Sequence, residues 1–574
     1  MKRVYSLFLV VLAFKAWAQP DEKENLGQIE LSVTDRYKAQ VMEAQKVLER
    51  PTYQDSIEQK IAVQYAIFSS PIEVRMQPET LSPARIAKIE VPELYRAFIR
   101  TGYGLYNTAL AEAYYNSGRS AKSSFGISAR HLSSQDGVEG LYYDDNSFSR
   151  NHLGAFFNRY YRKLTWHTEA AVNLDKFSYY GNPITGAFSN EDSTRGSAPY
   201  NWYRSYAVKS SIKEANKKAL GWLQGLSLGF SHFDDNYRSA EQDFQLETDW
   251  ALPADDKNLY LELNAMYFQN QMDSLYAGFQ DSSAFKQSTF QFQARPHIHM
   301  ERNNLGFDFG LNLFILDQKD SRPDFSDGRV FFFPELIVRW KMIPGVLSIK
   351  GGIKGELSRN NFRELSQLSP FIAPGQLTRA GGENRIFAGM EGILASNLSF
   401  NLEGGYQIFQ NRAFVYANPS FDRSLDQVLY VGLRYHDINI LYAKGALDFN
   451  WNEKLRIKTS AIARSFQSNE SGARAWYIPY FEANLSAYYN LKDKIGFQLG
   501  LDYIGSRFAS NTAFPNYDAL LKPYLDLGLK IDYRYNSRIG AFVNFSNLLN
   551  SQYDILLGYR AQSVGVMFGL NYRF

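Results

Sequence analysis

Histidines 297 and 299 lie two positions apart, so on a strand both rings share one face, a spacing that suits metal chelation. Two further clusters, Asp144-Asp145-Asn146 and Asp234-Asp235-Asn236, gather the oxygen ligands that calcium takes, without the spacing of a dedicated loop. Each has a plainer alternative: a polar pair on a wet wall, and solvated residues in turns. Motifs for covalent chemistry are missing. There is no phosphate-cradling Gly-Lys-Ser/Thr loop and no His-Glu-x-x-His. GGIKGE at 351–356 is glycine-rich but lies on an alternating strand, so it is no dinucleotide turn. Cysteine is absent, which removes disulfides, thiolate metal sites and a cysteine nucleophile. The seven histidines yield no Ser/His/Asp set. The residues therefore point to no catalytic group, no cofactor and no resident metal.

A larger set of polar side chains is periodic. Glu262, Arg295, His297, His299, Asp308, Glu403, Asp448, Arg456, Lys458, Arg464, Asp502, Lys530, Asp532 and Arg534 occupy alternate positions of stretches that are otherwise apolar. They are the candidates for a face turned toward a lumen. Both signs are mixed, so such a wall would carry paired charges rather than a single-sign selectivity ring.

Strands must carry these residues. In the closing SVGVMFGLNYRF, residues 563–574, Val564, Val566, Phe568, Leu570, Tyr572 and Phe574 alternate with small or polar residues. Successive side chains on a strand point to opposite faces, so this segment has one apolar and one wet side. The same split recurs at 259–267, 290–299, 305–313, 398–403, 495–503 and 525–535. Connections alternate in length. Short ones (302–304, 341–345, 395–397, 452–454, 491–494, 536–538) are separated by long polar stretches at 176–201, 269–284, 316–328, 357–384, 465–475 and 506–520. Full charges at mid-strand, with short turns at one rim and long loops at the other, predict an all-β fold. It is a large transmembrane antiparallel β-barrel of about 20–22 strands, with short periplasmic turns and long extracellular loops.

Bulk composition agrees. Across 574 residues, 62 basic and 59 acidic side chains leave a net charge of +3, which gives no reason to expect a nucleic-acid partner. Aromatics reach 16%, with 39 Tyr and 42 Phe, as girdles at the hydrocarbon boundary require. A mean hydropathy of −0.36 does not argue against a barrel, because its two faces cancel. The opening MKRVYSLFLVVLAFKAWAQP reads as an export signal. Lys2 and Arg3 precede an apolar run too short to span a bilayer, and Ala16-Trp17-Ala18 forms the cleavage site.

The expected organisation is a signal peptide at 1–18, a periplasmic or lumen-lining extension (or a leader without fixed structure) at 19–98, and the barrel at 99–574. The extension is charged and helix-prone, then rich in proline at 71, 78, 83 and 92. Counting back from Phe574 leaves an odd total if TGYGLYNTALAEAYY, 101–115, is one strand. Either Ile61 to Ile72 supplies another strand, or a hairpin near 427–450 has been misjudged.

The chain's last residues resemble those of TonB-dependent receptors. Asn547-Leu548-Leu549-Asn550, Tyr553, Gly558-Tyr559 and the terminal Phe574 match their closing pattern, and 100–137 looks like the first barrel strands of a plug-poor branch. Tyr572 and Phe574 resemble the C-terminal signal read by the barrel-insertion machinery. The resemblance implies a large barrel in the outer membrane of a Gram-negative cell, bounded by outer-membrane lipid. Such receptors have a plug of about 120–150 residues behind a coupling motif; here about 80 residues precede the barrel and no such motif stands near the mature N-terminus. The leading expectation is a porin-like or receptor-like barrel passing or binding a solute through a polar lumen. The alternative is a scaffold barrel within an outer-membrane complex, with outer-membrane or periplasmic protein partners. An enzyme barrel ranks third.

Overall fold

The computed structural model describes residues 95–574, apart from 119, 140–145, 182–197, 216–220, 255–256, 273–284, 322–325, 374–377, 420–428, 453, 469, 471 and 511–517. The segments read as export signal and extension lie outside the described residues up to position 94, as do Ile61 to Ile72, Asp144 and Asp145.

Among the described residues, 22 strands form one antiparallel sheet that closes on itself. The first strand, Ala97–Gly104, pairs with its neighbour Thr108–Asn116 and also with the last strand, Gly565–Arg573. Phe98 lies opposite Arg573 and Gly104 opposite Met567. Gly569 stands in this seam. A Cβ there would fall 2.3 Å from the carbonyl oxygen of Thr101 and 2.2 Å from the ring of Phe542, so the close approach needs glycine. A closed sheet leaves no unpaired edge, which is what a hydrocarbon surrounding demands.

Among the described residues the strand count is even, and no hairpin was misjudged near 427–450; Ile61 to Ile72 lies outside the described residues. Residues 429–451 form a single strand, Leu429–Trp451. The break falls inside 101–115, where Tyr106 and Asn107 both take positive φ (58° and 48°) and Thr108 N–H donates to the Leu105 carbonyl at 3.1 Å. Two successive left-handed residues make a tight hairpin whose twist matches the strands. Asparagine favours that conformation and tyrosine does not, so alternation ran through the turn without a visible break. A second difference is strand length. Much of 316–328, read as loop, is strand: Leu305–Asp320 and Ser326–Ile343 reach well past the apolar belt.

The two faces of the wall differ as the sequence requires. On one, large apolar side chains stand exposed, among them Phe332 at 64%, Leu441 at 57% and Leu570 at 63%. Continuous exposure of this kind is untenable in water and ordinary in lipid. Near the rim of short turns, Trp222, Trp340, Trp451, Tyr533, Tyr535 and Phe574 are exposed together, forming an aromatic girdle. No helix of the described residues is long and apolar enough to cross a membrane.

Candidate functional site

The opposite face is polar, and its charges are paired across strands. Arg295 on the strand Phe285–Arg302 lies opposite Glu262 and donates to both its carboxylate oxygens at 2.9 Å. The same guanidinium reaches across the next strand, where Gly310 carries no side chain, and grips Glu335 through Nε and Nη2 at 2.8 and 2.9 Å. His299 Nδ1 lies 2.5 Å from Asp308, which also pairs with Arg339. His297 stacks on Tyr260, ring centroids 5.3 Å apart. Among the described residues no group of three or more His, Asp or Glu is arranged to hold a metal.

Farther round the ring, Glu403 takes Lys444 at 2.9 Å and the Tyr442 hydroxyl at 2.8 Å, with Lys350 at 3.9 Å. Asp448 pairs with Arg456 at 2.7 Å and Lys458 at 3.6 Å. Arg464 donates to Glu482 at 2.8 Å, and Asn484 donates to Asp502 at 2.5 Å. Lys530 and Arg100 both meet Asp532, at 3.2 and 3.1 Å. Arg534 ends its strand, exposed. Asp234 and Asp235 do separate jobs: Asp234 pairs with Arg204 and His232, whereas Asp235 closes a turn by accepting the N–H groups of Tyr237 and Ser239 at 2.8 Å each. Burial pushes the Asp235 carboxyl up to about 6.

Sequence reasoning missed the segment joining Leu347–Ser358 to Gly381–Ala395. It had looked like a polar loop, yet it folds against several distant strands. A helix, α1 (Phe362–Leu368), is capped by Asn361, whose side chain accepts from Glu364 N–H at 2.9 Å. Glu241 accepts the Phe362 N–H at 2.6 Å, and Arg359 reaches Asp243 at 3.4 Å. Farther along, Ile372 bridges to Val431, and Ala373 N–H donates to the Val431 carbonyl at 2.8 Å. The Tyr203 hydroxyl donates to the Pro370 carbonyl at 3.0 Å. Thr378 is then held by Gln287 and Gln318, which donate to its carbonyl at 2.6 and 2.8 Å.

One connection thus touches strands at 200–214, 240–254, 285–320 and 429–451, which lie at separate points of the ring. Phe362, Leu365, Phe371 and Ile372 join Tyr179, Tyr203, Phe233 and Val431 in one buried cluster. The connection at 547–564 meets it there, with Phe371 and Tyr559 stacked 3.9 Å apart. Nearby, a third connection places Trp476 against Phe414 and the buried His436. Long connections at this rim therefore fold on one another rather than outward. A findable trace existed: NFRELSQLSPFIAP, 361–374, mixes apolar residues at helical spacing with a capping asparagine.

No protein-family model matches the sequence, and no curated protein sequence matches it either. Solved structures do match in shape. The structure of the FpvAI–pyocin S2 complex aligns with a TM-score of 0.64 at 11% identity, over 84% of this chain and 73% of that one. The FrpB iron transporter from Neisseria meningitidis (F5-1 variant) gives 0.63 at 11% identity, over 84% and 83%. The ferripyoverdine receptor of the outer membrane of Pseudomonas aeruginosa, bound to ferripyoverdine, gives 0.62 at 11%, over 84% and 72%. At such identity the likeness is one of fold. The chain shares the barrel fold of these solved structures, and the resemblance read in its closing residues holds at the level of fold.

Proposed function

We propose that this barrel stands in the outer membrane and passes or binds a solute, with its polar face lining the bore and the rim of short turns in the periplasm. One observation carries the reading: a complete circuit of paired charges and amides opposite a lipid-compatible belt, partly roofed by connections that fold inward. A wall of balanced charge holds solutes of either sign weakly, so passage by diffusion or with a partner's help suits it better than tight ion selection. Solved barrels of this shape include one bound to ferripyoverdine and one in complex with a pyocin, so the architecture accommodates cargo of very different size. The role is one of transport or reception rather than catalysis. Reconstitution of the full chain into planar bilayers tests this. Discrete conductance steps, or block of a basal current by a solute, are expected. A barrel that stays sealed at every voltage and binds no solute removes the reading.

A further inference from the structure

A single row of residues in register crosses seven strands of the polar face: Phe156, Glu169, Lys209, Gly229, Gln245, Met266, Gln291. Six strand spacings of roughly 4.8 Å make it about 29 Å long. Two recesses lie along it and share Gln245. One, of about 490 Å³, is floored by small residues such as Gly154, Ala171 and Ala207 beneath Arg363 of α1. The other, of about 260 Å³, is lined by the amides of Asn264, Gln293 and Asn312. Together they reach the size of small-molecule sites.

Three features of the row point to a ligand. Four acceptor atoms on consecutive strands, Asp243 Oδ1, Asn264 Oδ1, Gln291 Oε1 and Gln318 Oε1, are buried with no hydrogen-bond partner among the described residues. The side chains of Asp243, Gln291 and Gln318 belong to residues only 5%, 4% and 1% exposed. Buried acceptors without donors are costly, so Asp243, Asn264 and Gln291, which line the recesses, call for O–H or N–H groups from whatever fills them. At the other end, the ring of Phe156 lies across Gly126, where a Cβ would sit 2.4 Å from it, and the residue stays 37% exposed. A flat aromatic face of this kind offers a platform for stacking. Charge decides the rest. Lys209, Arg363, Lys354 and Arg359 line the same recesses as Glu169, Asp243, Glu262 and Glu356, so a cation and an anion are both opposed.

Resting on the reading that this face lines the bore, we infer that the row from Phe156 to Gln291 is a binding groove for a neutral, hydroxyl-rich chain, an oligosaccharide. Phe156 stacks on one sugar ring, the unpaired acceptors take hydroxyl protons, and Gln245 and Gln293 both give and accept. The full-length protein in detergent micelles, applied to an array of linear glucans, mannans, xylans and chitooligosaccharides, tests it. Retention of at least one neutral glycan is expected. Its affinity falls at least tenfold in Phe156→Ala and in Gln291→Leu, and is unchanged in Val330→Ala on the apolar face. Spermine and a heparin fragment are not held. Retention of no neutral glycan by protein that still shows heat-modifiable gel mobility overturns the inference, as does an affinity equal to the parent protein's in both groove variants. A barrel that conducts ions but holds no glycan refutes the groove alone; one that holds glycans but never conducts refutes passage alone.

Discussion

Replacing Gln287 with methionine asks whether polar contacts hold the α1 connection to the wall. Gln287 is 1% exposed and Thr378 is fully buried. Besides donating to the Thr378 carbonyl, Gln287 accepts through Oε1 from the Thr378 N–H at 3.2 Å and its hydroxyl at 3.0 Å. Methionine has similar bulk and offers neither group, while Gln318 keeps the carbonyl at 2.8 Å. Two buried donors on Thr378 are then orphaned, each at a cost of about 1–3 kcal/mol. At the low end the sum is about 2 kcal/mol, which raises the open population of the connection roughly 30-fold at about 1.4 kcal/mol per tenfold. The wall keeps its own ladder, so opening stays local. Hydrogen exchange read by mass spectrometry should show faster exchange in peptides covering 362–373, with Leu347–Ser358 unchanged. Equal protection in the variant, or equal loss in both regions, would refute the view that these side chains anchor the segment.

The Asp235 carboxyl and the Arg295 pair give two more expectations. With Asp235 raised to about 6 by burial, the folded state holds this proton more tightly than the unfolded chain does. Its contribution is therefore greatest below the ordinary carboxylate range and fades as pH rises toward about 6, by at most about 3 kcal/mol. Melting temperatures in micelles should fall between about pH 4 and about pH 6 and level off above it, and Asp235→Asn, which keeps the acceptor, should flatten the fall; parallel slopes would sink the argument. Arg295→Met strands Glu335, whose side chain is only 5% exposed, and should cost about 3–5 kcal/mol, with partial recovery in the double variant Arg295→Met/Glu335→Leu. A single variant that melts with the parent protein would show that the pair contributes nothing.

The barrel was readable because lipid and a wet interior impose opposite demands on adjacent residues, so period-two alternation is written into nearly every strand. Phe568 and Leu570, or Leu525 and Leu527, declare their face without help from any neighbour. Candidate charges were readable for the same reason, but their partners were not: nothing in the sequence ties Arg295 to Glu335, forty residues away across a glycine. EQDFQLETDW, 241–250, carried the pattern plainly, with Glu241, Asp243, Gln245, Glu247 and Asp249 on one side, and held residues as important as those singled out. The hairpin at 105–108 hid because tyrosine took a conformation it seldom adopts. The α1 connection hid because its apolar residues pack against distant strands, and long-range packing leaves no local period.

The seam between the first and last strands fixes the order in which the molecule is made. Ala97 N–H donates to the Phe574 carbonyl at 2.8 Å, and Phe574 N–H returns a bond to Ala97 at 3.0 Å. A ribosome delivers Ala97 hundreds of codons before the residue that completes it, so hairpins can zip in sequence but the ring cannot. Until the strand Gly565–Arg573 is made, the strand Ala97–Gly104 carries an unsatisfied edge open to any passing chain. Such a polypeptide must be kept apart from its siblings in transit, and Phe574 arrives as the clasp of the ring.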